Sequence, residues 1–119
     1  MKKTLVLGAS NNPTRYSFAA VRRLKQMGIE VVPISNKKGE VEGIPILNGK
    51  PEVENIHTVT LYLNPQRQEE YYDYILSLKP DRIIFNPGTE NPILMKKAKE
   101  AGIEPIIGCS LVMMATGEF

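Results

Sequence analysis

Residues 4–17 read TLVLGASNNPTRYS, and this stretch decides the fold class. The first four residues form a short apolar run, typical of a buried strand, which ends at Gly8. A turn of small and polar residues follows, and beyond it apolar residues recur at helical spacing. The positions of that stripe are Phe18, Val21, Leu24 and Met27. A strand, a tight turn and a helix in this order predict the first part of a parallel βαβ unit.

The same alternation continues through the rest of the chain. Four further apolar runs are predicted to be strands: Val31 to Ile34, Thr58 to Leu63, Arg82 to Phe85 and Ile103 to Ile107. Two further helical stripes lie between them, at Tyr71, Tyr74, Ile75 and Leu78 and at Leu94, Ala98 and Ala101. The pattern predicts an α/β protein with an open, mainly parallel sheet of five or six strands and helices on both faces. We interpret residues 1–119 as a single Rossmann-like domain.

Residues with special backbone preferences mark the ends of the predicted helices. Gly28 and Gly102 stand where a helix ends in a left-handed residue. Asn64 and Asn91 each precede a proline, which suits an N-capping side chain followed by the first helical position. Residues 37–56 break the alternation with several glycines and prolines, so they are predicted to form a partly structured surface crossover, in which Ile44 to Leu47 is a candidate short strand.

Length, charge and composition exclude several classes of protein. A chain of 119 residues fits one domain, and 42% hydrophobic with 24% charged residues is ordinary for a folded chain. A net charge of +2 is too small for a protein that coats nucleic acid, and no apolar run approaches the roughly 20 residues of a membrane-spanning helix. Cys109 is the only cysteine and His57 the only histidine, so neither a disulfide framework nor a Cys/His zinc site can form within one chain. These features predict a cytoplasmic protein with no nucleic-acid or membrane partner.

The segment after the first predicted strand is a candidate phosphate site. In open α/β sheets the ligand binds beyond the carboxyl ends of the strands. The candidate residues there are Gly8, Ala9, Ser10, Asn12, Arg15 and Tyr16. They lead into a helix start, where free backbone N–H groups and the helix dipole attract a phosphate and Arg15 adds a charge. The segment is neither a full Gly-x-Gly-x-x-Gly motif nor a Walker loop, so a tight turn without a ligand is the alternative interpretation.

The end of the second predicted strand indicates which nucleotide fits. Its residues are Ser35, Asn36, Lys37 and Lys38. An NAD site usually has Asp or Glu here for the ribose 2′-hydroxyl, so NAD is disfavoured. Lys37 or Lys38 suits a ribose that carries a phosphate, as in coenzyme A with its 3′-phosphate or NADP with its 2′-phosphate. A pair of solvated lysines in a turn is the alternative.

Two later loops are expected to complete a binding cleft. Leu63, Asn64 and Pro65 combine an apolar edge with a capped helix start that could flank an adenine ring, although capping alone also explains them. Pro87 and Gly88 belong to a second polar turn, after the next predicted strand. Because all these loops follow the carboxyl ends of parallel strands, we expect them to converge on one edge of the sheet.

Several of these segments together resemble one known family. They are Gly8-Ala9-Ser10 with Asn12 and Pro13, residues 31–36, residues 43–45, and Asn91 ahead of Ala98, Ala101 and Gly102. In this order and spacing, over Thr4 to Cys109, the chain resembles the small stand-alone CoA-binding domains. That family is similar to the N-terminal CoA-binding domain of the succinyl-CoA synthetase α subunit.

The resemblance implies a Rossmann-like domain that binds coenzyme A. In that family the loop matching Gly8 to Asn12 holds the pyrophosphate, and the segment matching Ser35 to Lys38 meets the phosphorylated ribose. The segment matching Leu63 to Pro65 flanks the adenine. The chain departs from the family pattern in residues 86–89 and after Cys109, which concerns the end of the site that would receive the thiol.

The predicted cleft lacks the groups that a catalytic site needs. His57 precedes a strand at the edge opposite to the loops, and Glu90 is a single carboxylate without a partner for acid–base chemistry. Cys109 is either an inert buried thiol or a thiol able to form a mixed disulfide with coenzyme A. We therefore interpret the chain as a non-catalytic protein that binds coenzyme A or an acyl-CoA. The alternatives are a small NADP-binding oxidoreductase-like protein and a structural interaction domain, and the apolar residues 111–115 make a homodimer conceivable.

Overall fold

The strands and helices of the protein follow the predicted order. A computed structural model describes residues 2–119. The strands are β1 (Thr4–Leu7), β2 (Val31–Ile34), β3 (Glu40–Val41), β4 (Ile44–Pro45), β5 (Thr58–Leu61), β6 (Arg82–Phe85) and β7 (Glu104–Ile107). The helices are α1 (Tyr16–Gln26), α2 (Pro65–Gln68), α3 (Tyr72–Ser77), α4 (Pro92–Glu100) and α5 (Ser110–Ala115), with a 3₁₀ turn at Glu69–Tyr71 between α2 and α3.

Five of the strands form one parallel sheet in the order β2-β1-β5-β6-β7. The register places Thr4 opposite Val31 on one side and opposite Thr58 on the other. The crossovers that follow the neighbouring strands β1 and β5 leave in opposite directions, so the strand order reverses between them. The predicted Rossmann-like α/β fold with an open parallel sheet is confirmed, with five strands.

The segment Ile44 to Leu47 does not join this sheet as a sixth strand. β3 and β4 instead pair with each other as an antiparallel hairpin, and Leu47 makes a single parallel bridge to β2. Glu42 and Gly43 form the hairpin turn, and both have positive φ. Because the chain reverses at this turn and Pro45 has no N–H to donate, the segment does not run beside β2 as a regular strand.

Helices cover both faces of the sheet because alternate strand residues enter two separate cores. On one face, Leu5 and Leu7 of β1 pack with buried residues of α3 and α4. On the other face, Val6 packs with buried residues of α1 and α5. All four residues of β1 and of β5 are buried, which is typical of the centre of a parallel sheet.

The predicted caps of the helices are confirmed. Gly28 and Gly102 directly follow the C-caps of α1 and α4 and have φ of +74° and +76°. The side chains of Asn64 and Asn91 accept hydrogen bonds from the backbone at the starts of α2 and α4, and a proline follows each of them. Local sequence signals therefore set these helix ends.

Some details of the predicted pattern are wrong. The strand predicted to run to Leu63 ends at Leu61, where the chain turns towards the start of α2. Met27 is 41% exposed, and Ala101 is also exposed. Both residues are the C-caps of their helices, so they no longer follow the buried stripe.

The apolar residues 111–115 lie in α5. This helix packs against α1, where Met114 is buried and Leu111 and Met113 are partly buried, while Val112 is 57% exposed. The segment therefore covers its own chain, and a homodimer through it stays a prediction. Like every helix in residues 2–119, α5 lacks the length and apolar character needed to cross a membrane.

Candidate functional site

A cleft of about 320 Å³ opens at the carboxyl ends of the parallel strands. The loops after β1, β2, β5 and β6 form its walls, together with the first residues of α1 and one residue of α2. The reversal of strand order between β1 and β5 separates α1 from α2 and leaves a gap there. The cleft thus lies at the position where ligands bind in open α/β sheets.

Ten of the fifteen residues predicted as ligand contacts line this cleft. They are Gly8, Ala9, Ser10, Arg15, Tyr16, Ser35, Asn36, Lys37, Leu63 and Pro87. The other five, which are not among the lining residues, are Asn12, Lys38, Asn64, Pro65 and Gly88. Asn12 and Asn64 have local roles instead. The Asn12 Oδ1 accepts hydrogen bonds from the Thr14 N–H and hydroxyl (3.0 and 2.7 Å), and the Asn64 Oδ1 accepts one from the Arg67 N–H (2.9 Å).

The backbone after β1 is shaped by Gly8 and by hydrogen bonds to β2. Gly8 has a φ of +94°, and its N–H and that of Ala9 both donate to the Ile34 carbonyl oxygen (2.9 and 3.0 Å). These two donors are therefore already occupied, which leaves the start of α1 as the main source of free donors. Arg15 is the N-cap there, and no side chain within residues 2–119 caps this helix start.

Lys37 reaches the cleft because the turn after β2 is held in place. The Ser35 Oγ accepts a hydrogen bond from the Lys37 N–H (3.1 Å). The Asn48 Nδ2 donates to the backbone oxygens of Ser35 (2.8 Å) and Lys37 (2.9 Å). This turn brings Lys37 to the cleft and leaves Lys38 out of its lining, so the structure distinguishes two lysines that are equivalent in the sequence.

The lining of the cleft is positively charged. Arg15, Lys37 and Arg67 belong to it, and no Asp or Glu of the described residues does. None of these three side chains forms a salt bridge or hydrogen bond with another residue in the range 2–119. Glu90, in the loop after β6, accepts a hydrogen bond from the Gly88 N–H (2.9 Å) and does not line the cleft. Three cations are thus concentrated at one site in a chain whose net charge is only +2.

A buried amide fixes the wall formed by α2 and the loop after β6. Gln68 is completely buried, and its Nε2 donates to the backbone oxygens of Leu63 and Thr89, both at 2.8 Å. Its Oε1 accepts a hydrogen bond from the Asn91 Nδ2 (2.9 Å). Leu63 and Thr89 both line the cleft, so Gln68 holds two of its walls together.

Tyr62 gives the cleft a neutral surface rather than a base. Burial raises the pKa of its phenol. The nearby hydroxyls of Thr60 and Ser110 hydrogen-bond each other (2.6 Å), and the Tyr62 hydroxyl has no partner in the part of the chain that the structure describes. At neutral pH the phenol is therefore protonated and does not accept a proton.

His57 and Cys109 do not line the cleft. His57 precedes β5 at the opposite edge of the sheet, with its Nδ1 2.8 Å from the Thr58 Oγ1 and its Nε2 3.5 Å from the Asp81 carboxylate. Burial lowers the pKa of His57, and Asp81 partly offsets this. Cys109 is a free, half-buried thiol at the N-cap of α5. Across residues 2–119, no three His, Cys, Asp or Glu side chains form a cluster able to hold a metal ion.

Four residues that line the cleft are not among the predicted ligand contacts: Ser17, Tyr62, Arg67 and Thr89. The first, second and fourth adjoin predicted positions, so a wider window around each strand end would have included them. Arg67 had a different signal. It is a cation in the turn that Asn64 caps, and the start of this helix faces the same sheet edge as the loops.

The protein is similar to several solved structures. The crystal structure of an uncharacterized protein has 56% sequence identity and a TM-score of 0.97, and the match covers 100% of this chain and 98% of that one. A hypothetical protein from Pyrococcus horikoshii OT3 has 26% identity and a TM-score of 0.86, over 98% of this chain and 82% of that one. A structure from Thermus thermophilus, at 22% identity and a TM-score of 0.85 over 99% and 91% of the two chains, shares the fold. No curated protein matches the chain.

The amino-acid sequence shows which family the chain belongs to. The sequence model of the CoA binding domain family matches residues 2–115, which is nearly the whole chain. This agrees with the resemblance seen in the loop after β1, the end of β2 and the start of α4. The chain therefore belongs to the CoA binding domain family.

Proposed function

We propose that the protein binds coenzyme A or an acyl-CoA in the cleft and catalyses no reaction on it. The observation that carries this proposal is the set of three cations without ion-pair partners, Arg15, Lys37 and Arg67, in a cleft that no carboxylate of residues 2–119 lines. Coenzyme A carries three phosphate groups, so its charge complements that of the cleft. Membership of the CoA binding domain family supports the same ligand.

The parts of coenzyme A are assigned to parts of the cleft by their chemistry. We assign the 3′-phosphate to Lys37, at the end of β2, where Ser35 and Asn36 also line the cleft. We assign the diphosphate to the segment from Gly8 to Ser10 and to the start of α1, where Arg15 and the helix dipole both favour an anion. Leu63 alone remains as an adenine contact from the segment 63–65, because Asn64 and Pro65 do not line the cleft.

The absence of catalysis is inferred from the chemistry of the lining residues. In the range 2–119 no His, Cys, Asp or Glu lines the cleft, and the Tyr62 phenol is kept protonated by its raised pKa. General acid–base catalysis needs a group that titrates near neutral pH within reach of the ligand. The side chains of the cleft therefore support binding rather than turnover.

NADP is the second candidate ligand, and one observation favours it. Lys37 lines the cleft at the end of β2, and its charge suits a ribose 2′-phosphate as well as a 3′-phosphate. A structural interaction domain is the third alternative. Neither alternative accounts for the match to the CoA binding domain over residues 2–115.

The first test is thermal unfolding with coenzyme A, dephospho-CoA, NADP and NAD. A ligand at about 100 times its Kd adds about 2.7 kcal/mol to the free energy of unfolding, which raises the Tm of a domain this size by roughly 10 °C. We expect this rise with coenzyme A and a much smaller one with dephospho-CoA. A rise with NADP alone would favour the second candidate, and no rise with any ligand would contradict the proposed function.

A pair of neighbouring lysines provides the matched control for the 3′-phosphate. Lys37→Ala is expected to weaken coenzyme A binding about tenfold, because it removes a charge-assisted contact, and to leave dephospho-CoA binding unchanged. Lys38→Ala should bind both ligands like the wild type, since Lys38 does not line the cleft. Isothermal titration calorimetry measures the Kd of both ligands for the wild type and the two variants. Equal losses in both variants would show that the lysines act only through general charge.

The proposal also includes a homodimer and a mixed disulfide between Cys109 and coenzyme A, each of which has its own test. A concentration series by sedimentation tests the dimer, and a monomer at all concentrations would contradict it.

Incubation with oxidised coenzyme A tests whether Cys109 is reactive. A reactive thiolate would displace one CoA thiolate from the CoA disulfide and add one CoA to the protein mass. No adduct, or an equal adduct in Cys109→Ser, would show that the thiol is inert.

A further inference from the structure

The cleft lies between helices that cover opposite faces of the sheet. α1 packs in the core on one face, and the chain that continues from α2 into α3 packs in the core on the other. This division follows from the strand order, in which β1 and β5 are neighbours and their crossovers leave in opposite directions. A ligand over Gly8 therefore has α1 on one side and α2 on the other.

One arginine lines the cleft from each of these two sides. Arg15 is the N-cap of α1, and Arg67 lies in α2. Arg67 is exposed, and its guanidinium makes no salt bridge or hydrogen bond with any other residue of the described chain. The fold therefore leaves the guanidinium of Arg67 free to bind an anion in the cleft.

The backbone of Arg67 is fixed even though its side chain is free. Its N–H donates to the Asn64 Oδ1 (2.9 Å), and the next residue, Gln68, is completely buried. Gln68 donates to the backbone oxygens of Leu63 and Thr89, which lie on both sides of this part of the cleft. Binding through Arg67 therefore orders only one side chain, which keeps the entropic cost low.

The chemistry of coenzyme A limits what Arg67 can contact. The 3′-phosphate is assigned to Lys37 at the end of β2, and β2 is two strands from β5, about 10 Å away. The pantetheine arm carries no charge. The diphosphate, placed over Gly8 and next to Arg15, is the remaining anionic group, and a guanidinium fork suits two phosphate oxygens at once.

We propose that Arg67 binds the diphosphate of coenzyme A from the α2 side, opposite Arg15, and so selects ligands with a diphosphate over those with a single 5′-phosphate. This inference rests on the proposed function. It adds Arg67 of α2 as a residue that determines ligand specificity. This residue lies outside the phosphate-binding motif predicted in the loop after β1.

The test is calorimetric titration of three ligands into four proteins. The ligands are coenzyme A, dephospho-CoA and adenosine 3′,5′-bisphosphate, which keeps the 3′-phosphate but has a single 5′-phosphate. The proteins are the wild type, Arg67→Ala, Arg67→Lys and the control Arg23→Ala, in which an exposed α1 arginine outside the cleft lining is removed. Thermal unfolding of each variant without ligand checks that its stability matches that of the wild type.

Arg67→Ala is expected to weaken coenzyme A and dephospho-CoA about tenfold each, and adenosine 3′,5′-bisphosphate less than about threefold. Arg67→Lys should recover part of the loss, since it keeps the charge but not the fork. Arg23→Ala should match the wild type. This pattern differs from that expected for Lys37→Ala, which weakens coenzyme A binding but leaves dephospho-CoA binding unchanged.

Two results would overturn the inference. They are unchanged coenzyme A binding in Arg67→Ala and an equal loss for all three ligands. In each of these cases the wild type still binds coenzyme A, so the proposed function stands. Failure of the wild type to bind any of the three ligands would instead contradict the proposed function itself.

Discussion

Replacing Asn86 with leucine is expected to lower the free energy of unfolding by about 3–5 kcal/mol. Asn86 is almost completely buried directly after β6. Its Nδ2 donates to the Thr60 Oγ1 (2.7 Å) and to the Leu61 carbonyl oxygen (2.8 Å), and its Oδ1 accepts a hydrogen bond from the Ser110 N–H (2.8 Å). One amide thus joins β5, β6 and the start of α5. Leucine has a similar size but cannot hydrogen-bond to the Leu61 carbonyl oxygen or the Ser110 N–H, and it leaves the Thr60 hydroxyl with Ser110 as its remaining side-chain partner.

Urea denaturation measures the effect through the transition midpoint. The matched control is Asn36→Leu. Because Asn36 is exposed, this substitution should change the free energy of unfolding by less than about 0.5 kcal/mol. The slope of the transition should be the same in both variants, which shows that the change is in stability. A loss below about 1 kcal/mol in Asn86→Leu would mean that water replaces the amide and that the network does not hold these elements together.

Substituting Gly8 with alanine is expected to destabilise the protein by about 2–4 kcal/mol and to abolish ligand binding. Two independent effects contribute to this loss of stability. Gly8 has a φ of +94°, which an L side chain rarely adopts, and a Cβ on it would lie 3.0 Å from both the Tyr62 carbonyl carbon and the Leu63 Cδ2. Relief of the contact would move the loop after β1 away from β5, and the cleft lies between them.

Gly28 separates the two causes. Its φ is +74°, but a Cβ on it would have no atom of the described residues within 4 Å beyond its own helix and its neighbours. Gly28→Ala should therefore cost only the conformational strain, about 1 kcal/mol, and keep full ligand binding. Equal losses in the two variants, measured by thermal unfolding and titration with coenzyme A, would show that the contact with Tyr62 and Leu63 is relieved without cost.

Much of the fold could be predicted from short-range patterns. Leu5 and Leu7 enter one core and Val6 enters the other, so the run from Thr4 to Leu7 has apolar residues on both sides and could be identified as an internal strand of a covered sheet. The caps at Asn64 and Asn91 were equally clear, since a capping side chain bonds the backbone two or three residues ahead. These features depend on neighbours along the chain.

The hairpin of β3 and β4 is harder to predict because it depends on a balance between local and distant contacts. Ile44 and Leu47 have the composition of a strand, but the turn at Glu42 and Gly43 reverses the chain and only Leu47 bridges to β2. In the same way, Lys37 and Lys38 are adjacent and identical in type. The turn that brings Lys37 to the cleft is held by the nearby Ser35 and also by Asn48, which lies eleven residues beyond Lys37.

The sequence by itself determined the parallel α/β sheet, the helix ends and most of the residues around the cleft, because strand ends in such a sheet all lie at one edge. The tertiary structure alone decided that Arg67 joins Arg15 and Lys37 in the cleft without a carboxylate among residues 2–119. The physical reason is that an electrostatic site depends on distances between charges, and these are set by the packing of α1 on one face and of the chain that continues from α2 into α3 on the other. No local pattern records which cations that packing brings together.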